Sequence, residues 1–188
     1  MRVIGGSAKG VVLRARGARL RPTTDAIRET LFNSLQTVIP GARFLDLYAG
    51  TGSVGLEALS RGAALAVFVE RSRAGLKAIR ENLANTRLAE RAVVVPGDVP
   101  KVLDRVWAEH GPFDVVFVDP PYGDPALPAV VARLLEGADL AAATIVVQHA
   151  VEEGLPDSAV PYREKTFGST RLSYLQRVAP AAAGSDES

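Results

Sequence analysis

The stretch LDLYAGTGSVG, residues 45–55, joins an apolar run to a glycine-rich loop and then to a helical pattern. Glycines in such a loop let the backbone pass close to a ligand, and the next helix offers free N–H groups and the positive end of its dipole. Glu70 ends the following apolar run, where a carboxylate can accept hydrogen bonds from ribose hydroxyls. The pattern predicts a nucleoside-binding site; turn glycines with a surface glutamate are the alternative.

Apolar strands and helices alternate around this loop. The strands are apolar almost throughout, as is typical of parallel strands covered on both faces, so a doubly wound sheet is predicted. A first helix starts at a Thr23 or Thr24 cap and is stopped by Pro40-Gly41. Predicted strands cover residues 43–49, 65–70, 92–98, 113–119 and 143–150, and later helices cover 54–62, 73–88, 100–111 and 126–138.

Both ends of the chain depart from this alternation. Residues 2–16 carry a hairpin pattern, with Gly10 able to take a positive φ in the turn. Residues 163–178 read as two β-rich pieces around Gly168, an antiparallel hairpin at the edge of the sheet. Residues 179–188 have the composition of a disordered tail.

Composition favours one domain with a sizeable core, since 47% of the 188 residues are hydrophobic. No apolar run approaches the ~20 residues of a membrane helix. Without cysteines or a signal peptide pattern, the reducing cytoplasm is the expected location.

Positive charge is concentrated at the start of the chain. Residues 1–30 hold seven Lys and Arg residues against two acids, although the net charge of the whole chain is only +1. A basic head on a mildly acidic body indicates an anionic partner such as nucleic acid, and a merely solvated arm is the alternative. The basic residues are Arg2, Lys9, Arg14, Arg16, Arg19, Arg21 and Arg28.

Two further acids favour S-adenosylmethionine over a nicotinamide dinucleotide as the cofactor. Asp46 lies inside the first strand, where a dinucleotide site normally has an apolar residue. A buried carboxylate there needs a cationic or donating partner, such as the methionine ammonium group. Asp98 follows the third strand and could accept from the adenine amino group, or could instead cap the next helix.

The sequence FVDPPYGDP, residues 117–125, ends the fourth strand in a rigid polar corner. Because prolines lack an N–H, this corner presents carbonyl acceptors with little freedom. Asp119 and the Pro120 carbonyl could accept both hydrogens of an exocyclic amino group, which frees the nitrogen lone pair, while Tyr122 stacks on the ring. A turn with a packed tyrosine is the alternative. His149 is predicted to be structural rather than a base.

These motifs together resemble the RsmD family. DPPY with DLYAGTGSVGLEALSRGA resembles amino methyltransferases in general, and VIGGSAKG with LRPTTDAIRETLFNSL narrows the resemblance to that family, over about residues 2–178. It implies methyl transfer from S-adenosylmethionine to the N2 amino group of a guanine in small-subunit (16S) ribosomal RNA. It also implies an α/β, Rossmann-like class I methyltransferase fold: a mostly parallel seven-stranded sheet with a C-terminal antiparallel hairpin and a small N-terminal β-hairpin extension.

The predicted site combines the residue patterns with this resemblance. We expect a basic extension at residues 1–22, a methyltransferase domain at 23–178 and a tail at 179–188. The protein is expected to act as a monomer on ribosomal RNA or the small subunit, without a metal. Predicted catalytic residues are Asp119, Pro120 and Tyr122; cofactor-binding residues are Asp46, Tyr48, Gly50, Gly52, Ser53, Glu70, Asp98, Val99 and Asp119; RNA-binding residues are Arg14, Arg16, Arg19, Arg21, Thr23 and Arg28.

Three other functions fit parts of the pattern. A DNA adenine-N6 methyltransferase also uses DPPY, but 188 residues leave little room for a target-recognition segment. A catalytically silent RNA-binding assembly factor would not need an intact glycine loop and DPPY. A dinucleotide-dependent oxidoreductase is disfavoured by Asp46.

Overall fold

The computed structural model describes residues 1–14, 24–136 and 144–176. The predicted alternation of strands and helices is confirmed. A 3-10 helix, Ala89–Arg91, lies between α3 and β3. The other elements are α1 (Asp25–Ser34), β1 (Arg43–Leu47), α2 (Ser53–Ser60), β2 (Leu65–Glu70), α3 (Arg73–Thr86), β3 (Ala92–Pro96), α4 (Val99–His110), β4 (Val115–Val118), α5 (Leu127–Glu136), β5 (Thr144–Ala150), β6 (Pro161–Phe167) and β7 (Thr170–Gln176).

All seven strands form one sheet in the order β3-β2-β1-β4-β5-β7-β6. The first five strands are parallel, and β7 runs antiparallel to both of its neighbours, β5 and β6. The mostly parallel sheet with a C-terminal antiparallel hairpin is therefore confirmed. Strand order reverses between β1 and β4, and this is the point at which such sheets open a ligand crevice.

Helices cover both faces of the sheet. On one face the aromatic rings of Phe44, Phe68 and Phe117 pack with α1, α2, α3 and the N-terminal segment. On the other face Val67 and Val116 pack with α4 and α5. This two-sided burial explains why the parallel strands are mostly apolar before their carboxyl ends. Within the described ranges, no helix has both the length and the apolar character needed to cross a bilayer.

The N-terminal hairpin consists of a single antiparallel bridge, between Arg2 and Val12, rather than two full strands. The Val3 N–H donates to Val11 O (3.0 Å), and the Gly10 N–H donates to Val3 O (2.9 Å). Gly10 adopts φ +87°, the conformation expected of it in the turn. The chain thus reverses as predicted, but the ladder is short.

Buried Glu57 on α2 ties this segment to the domain. Its carboxylate oxygens accept from the Ile4 and Gly5 N–H groups, both at 2.8 Å, and one of them also accepts from Arg61 Nε at 2.7 Å. Hydrogen bonds to an ionised group are stronger than neutral ones, so the segment is anchored rather than loosely appended.

Helix α1 is shorter than predicted. Thr24 caps it as expected, its Oγ1 accepting from the Ile27 N–H, but the helix ends at Ser34 instead of continuing to Pro40. Among the residues that follow, Thr37 and Val38 are weak helix formers, and Val38 is 39% exposed. Its helical spacing in the sequence therefore did not reflect a buried position.

Candidate functional site

A crevice of about 500 Å³ opens at the carboxyl ends of β1, β2 and β4, where strand order reverses. It brings together residues predicted from four separate stretches of sequence. All three predicted catalytic residues and all but one of the predicted cofactor residues line it. The predicted residues in its walls are Asp46, Tyr48, Gly50, Ser53, Glu70, Asp98, Val99, Asp119, Pro120 and Tyr122.

Gly52 is the exception. It caps α2 with φ +76°, and a Cβ placed on it would contact Ile79 and Phe68 at 3.1–3.4 Å rather than point into the crevice. Gly52 therefore does not line the crevice, and its contact with the cofactor stays a prediction. Its left-handed backbone and its close packing against the core explain why a glycine stands there.

Strand register places the acids on one face of the sheet. Asp46 pairs with Phe68 on β2 and with Phe117 on β4, so these three residues share a face. Because side chains alternate along a strand, Glu70 and Asp119, each two residues further on, lie on that face as well. Three carboxylates from three neighbouring strands thus converge at the crevice.

Asp46 is almost completely buried, at 2% exposure. Its Oδ2 accepts from the Gly55 N–H at 2.9 Å. Burial raises the pKa of Asp46 well above its ordinary range, and the charges of Asp119 and Glu70 raise it further. One neutral hydrogen bond does not offset the desolvation of a carboxylate, so the site favours a cationic ligand group beside Asp46.

Glu70 braces the glycine loop. Its Oε2 accepts from the Gly50 N–H at 2.8 Å, and its Oε1 accepts from the Ser72 N–H at 2.7 Å. A Cβ on Gly75 would lie 2.7 Å from Glu70 Cγ, so only glycine lets α3 approach so closely. Each carboxylate oxygen has a second lone pair, which leaves acceptors on Glu70 for ligand hydroxyls.

Tyr48 stands in a strained position beside the loop. Its φ of +60° is unusual for a residue other than glycine. Its hydroxyl is buried and has no hydrogen-bond partner among the described residues. Burial raises the pKa of Tyr48, and the nearby carboxylates of Asp124 and Asp98 add to that effect. A ligand acceptor in the crevice would compete with the Asp124 carboxylate for this hydroxyl.

Asp98 occupies the N-cap position of α4, but its side chain makes no capping hydrogen bond. It lies 3.7 Å from Arg71 Nη1 and 3.6 Å from Lys101 Nζ. Of the two roles considered for Asp98, capping is therefore absent, and its carboxylate remains in the crevice wall.

The Asp119-Pro120-Pro121-Tyr122 corner also lines the crevice. The Tyr122 hydroxyl hydrogen-bonds with Thr170 Oγ1 at 2.6 Å, which ties the corner to the start of β7. The Tyr122 side chain nevertheless stays 39% exposed. The residue is thus tied at its hydroxyl, partly exposed and in the crevice wall, a position compatible with contact to a planar ligand.

Two polar residues of this region were not predicted from the sequence. Gln148, near the carboxyl end of β5, lines the crevice. Asn82 of α3 bridges the N-terminal segment and the glycine loop: its Oδ1 accepts from the Arg14 N–H, and its Nδ2 donates to Arg14 O and Thr51 O. The available signal for Gln148 was a polar residue within an apolar strand run; the partners of Asn82 are too distant in sequence to be recognised.

The predicted RNA-binding residues fall into three groups. Arg14 is solvent-accessible, with 56% of its side chain exposed and Glu81 only 4.0 Å away. Arg28 is completely buried, hydrogen-bonded to Arg2 O and Asp25, so the prediction that it contacts RNA is wrong: a side chain that no solvent reaches cannot reach a phosphate. Arg16, Arg19, Arg21 and Thr23 lie outside the described residues.

His149 is buried on β5, on the face of the sheet opposite the one from which Gln148 projects. Its Nδ1 donates to Ala150 O at 2.8 Å, and its Nε2 hydrogen-bonds with Ser173 Oγ at 2.9 Å. Burial lowers the pKa of His149, so the ring is neutral in the fold. These contacts fit the predicted structural role. In the described part of the chain, no group of three or more His, Asp or Glu side chains is placed to hold a metal ion.

Comparison with known proteins agrees with this geometry. The family model described as "Conserved hypothetical protein 95" matches residues 1–176. The ribosomal RNA small subunit methyltransferase D of Escherichia coli K12 is 41% identical over 193 aligned positions, which cover 99% of this chain and 94% of the relative.

Solved structures agree as well. One from Escherichia coli superposes with a TM-score of 0.82 at 41% identity, covering 96% of this chain and 99% of that one. A Salinibacter ruber RNA methyltransferase in complex with S-adenosyl-L-homocysteine superposes at 0.66 with 15% identity, covering 88% and 99%, and shares the fold. With its Rossmann-like methyltransferase fold, the chain belongs to the conserved hypothetical protein 95 family, the RsmD family.

Proposed function

We propose that this protein transfers the methyl group of S-adenosylmethionine to the N2 amino group of a guanine in small-subunit ribosomal RNA. One observation supports this proposal above the others. The Asp119–Tyr122 corner lines the same crevice as Asp46, Gly50 and Glu70, at the reversal of strand order. Amine recognition and cofactor binding can then occur side by side.

The crevice suits S-adenosylmethionine chemically. Asp46, buried and short of partners, would hold the methionine ammonium group, and Glu70 would accept from the ribose hydroxyls. Asp98, which does not cap α4, would accept from the adenine amino group. Bound there, the cofactor supplies an electrophilic methyl group, so the protein needs to supply alignment rather than a nucleophile. Good alignment can lower a barrier by about 7–11 kcal/mol.

The corner residues act on the target amine. Asp119 and the Pro120 carbonyl accept the two amino hydrogens, which turns the nitrogen lone pair away from the ring. Tyr122, tied at its hydroxyl to Thr170, stacks on the base. Such stacking contributes about 1–3 kcal/mol. Because a base inside an RNA helix cannot enter a crevice of this kind, the target guanine is unpaired or flipped out.

The basic N-terminal segment supplies phosphate contacts. Arg14 is the exposed member within the described residues, and Asn82 fixes its backbone next to the glycine loop. Arg16, Arg19 and Arg21 follow directly in the sequence and are assigned the same role from their charge. A ribosomal RNA substrate would also place the protein in the cytoplasm.

The test of the proposed function is incubation with radiolabelled S-adenosylmethionine and, separately, small-subunit RNA, intact small subunits and duplex DNA. We expect label in one of the ribosomal samples, and nucleoside analysis should identify N2-methylguanosine. Label in duplex DNA as N6-methyladenine would overturn the proposal, as would the absence of label in all three samples.

Two variants separate catalysis from binding. Asp119→Ala should lower turnover at least 100-fold, since the positioned amine is lost, while cofactor affinity measured by calorimetry changes less than threefold. Asp104→Ala removes a carboxylate that is 73% exposed on α4 and serves as the control. Turnover retained by Asp119→Ala would remove that residue from the mechanism.

A further variant tests the phosphate contacts. Arg14→Ala should weaken RNA binding and reduce the slope of log affinity against log salt by about 1. Arg105→Ala, on the exposed face of α4, should leave that slope unchanged. Equal slopes for the two variants would mean that Arg14 is only solvated.

A further inference from the structure

Gln148 is a buried polar side chain whose acceptor has no partner in the part of the chain that the structure describes. The residue is 3% exposed, near the carboxyl end of β5, and its Oε1 makes no hydrogen bond to any described residue. It also lines the crevice that holds Asp119 and Tyr122. An unsatisfied buried amide costs about 1–3 kcal/mol, so its retention in a core strand calls for a ligand donor.

Register places Gln148 beside the amine-binding corner. Val118 of β4 pairs with Val147 of β5, so Asp119 and Gln148 come next on the two strands and project from the same face. Neighbouring strands lie about 4.8 Å apart, which is close enough for two side chains to contact adjacent atoms of one base. Asp46 and Glu70, assigned to the cofactor, lie on the far side of Asp119, towards β1 and β2.

We propose that Gln148 is a specificity-determining residue whose Oε1 accepts a hydrogen bond from the N1–H of the target guanine. This inference rests on the proposed function. In guanine the ring nitrogen N1 carries a hydrogen and is bonded to C2, the carbon that carries the N2 amino group. A base whose N2 is held by Asp119 therefore presents its N1–H to the next strand, where Gln148 stands.

This contact discriminates between purines. The N1 of adenine or 2-aminopurine carries a lone pair and no hydrogen, so it would face the oxygen of Gln148 and leave both groups unpaired. Sites built around a buried hydrogen bond reject analogues that lack the donor much more strongly than apolar pockets do. The DPPY corner accepts any exocyclic amine and therefore does not distinguish guanine from other bases that carry an amino group. The hydrogen bond from guanine N1–H to Gln148 Oε1 supplies that discrimination.

The test measures kcat/KM on two RNAs for each of three proteins: wild type, Gln148→Leu and Gln148→Glu. Once wild-type labelling has located the methylated nucleotide, ligated RNAs with guanine or 2-aminopurine at that one position are prepared. We expect wild type to prefer guanine in kcat/KM by roughly 10- to 100-fold. Gln148→Leu should lose most of that preference, because its kcat/KM should fall for the guanine RNA and stay unchanged for the 2-aminopurine RNA. Gln148→Glu, which keeps an acceptor, should retain it.

Further measurements make the result specific. Guanine and 2-aminopurine also differ at position 6. Because every protein is tested on the same two RNAs, that difference cancels when the preference of each variant is compared with that of wild type. Gln176→Leu, an exposed amide at the end of β7, is the matched control and should behave as wild type. Circular dichroism melting confirms that each variant is folded, and calorimetry should show cofactor affinity within threefold of wild type.

The outcomes separate the inference from the proposed function. If wild type forms N2-methylguanosine while Gln148→Leu keeps its full preference for guanine, the role of Gln148 is refuted and the proposed function stands. Loss of cofactor affinity in Gln148→Leu would also refute it, by assigning the residue to the cofactor. If wild type methylates an atom other than guanine N2, the proposed function itself fails.

Discussion

Replacing Asn82 with alanine tests whether one buried amide holds the N-terminal segment against the glycine loop. Asn82 is completely buried and makes three hydrogen bonds: Oδ1 with the Arg14 N–H (2.7 Å), and Nδ2 with Arg14 O and Thr51 O (both 3.0 Å). At about 1 kcal/mol net for each bond, the three contribute about 3 kcal/mol. The higher helix propensity of alanine offsets roughly 0.5 kcal/mol of this loss.

The assay is urea unfolding followed by circular dichroism, with Asn85→Ala as the control. Asn85 lies on the exposed face of the same helix, so that variant makes the same change in helix propensity without breaking buried bonds. We expect the free energies of unfolding of the two variants to differ by about 3 kcal/mol. For a domain of this size, the difference corresponds to a Tm shift of roughly 6–12 °C.

The result that refutes this reasoning is equality of the two variants. If Asn82→Ala and Asn85→Ala unfold within about 0.5 kcal/mol of each other, with equal denaturant slopes, the three bonds contribute nothing net to the folded state. The N-terminal segment would then be held by its other contacts, which are the hydrogen bonds with Glu57, Ser60 and Arg28 and its apolar packing.

Three other perturbations have defined outcomes. Gly55→Ala places a Cβ 2.3 Å from a ring carbon of Phe68 and should lower the free energy of unfolding by about 1–3 kcal/mol. In the control Gly154→Ala the Cβ meets nothing within 4 Å, so the free energy of unfolding should fall by less than about 0.5 kcal/mol. Equal denaturation midpoints for the two variants would contradict this. Glu57→Ala removes the acceptor of two backbone N–H groups and should accelerate tryptic cleavage of the N-terminal segment at least ~10-fold, and an unchanged rate would mean that the anchor is unimportant. Because burial lowers the pKa of His149 below its ordinary 6.5, the unfolded chain takes up that proton first. The contribution of His149 to stability is therefore complete above pH 6.5 and is lost below it, by at most about 1.4 kcal/mol per pH unit, and urea titrations of His149→Gln should lack this component.

The parallel part of the fold could be predicted because its signals are local. Each parallel strand is an apolar run bounded by polar or turn residues, and β2 was predicted with its observed bounds, Leu65–Glu70. Strand β6 was harder to delimit: it begins at Pro161 rather than 163, and its residues are mostly exposed, so no burial pattern marks its start. For an edge strand, pairing with β7 rather than its own composition determines where the strand begins.

The site residues that could be predicted from the sequence are acids within or at the ends of apolar strands. Asp46, Glu70 and Asp119 stand out as acids that interrupt or close apolar runs, and parallel strands bring such ends together. Arg28 was assigned wrongly because sequence charge does not reveal burial. It is desolvated against Asp25 and a backbone carbonyl, which lowers the pKa of its guanidinium group, although Asp25 partly offsets that effect. A basic residue can be assigned to an anionic partner only when its side chain is known to be exposed.

The position of β7 bears on how the protein is made. This last strand lies between β5 and β6, and in the described residues β6 pairs with β7 alone. A nascent chain that has not yet reached Thr170 would therefore carry β6 without a neighbour and β5 with its Val146–Val147 backbone open on one side. Such an uncovered apolar edge invites pairing with other chains. Translational pausing or premature termination before β7 is complete should then yield aggregates rather than a smaller active enzyme.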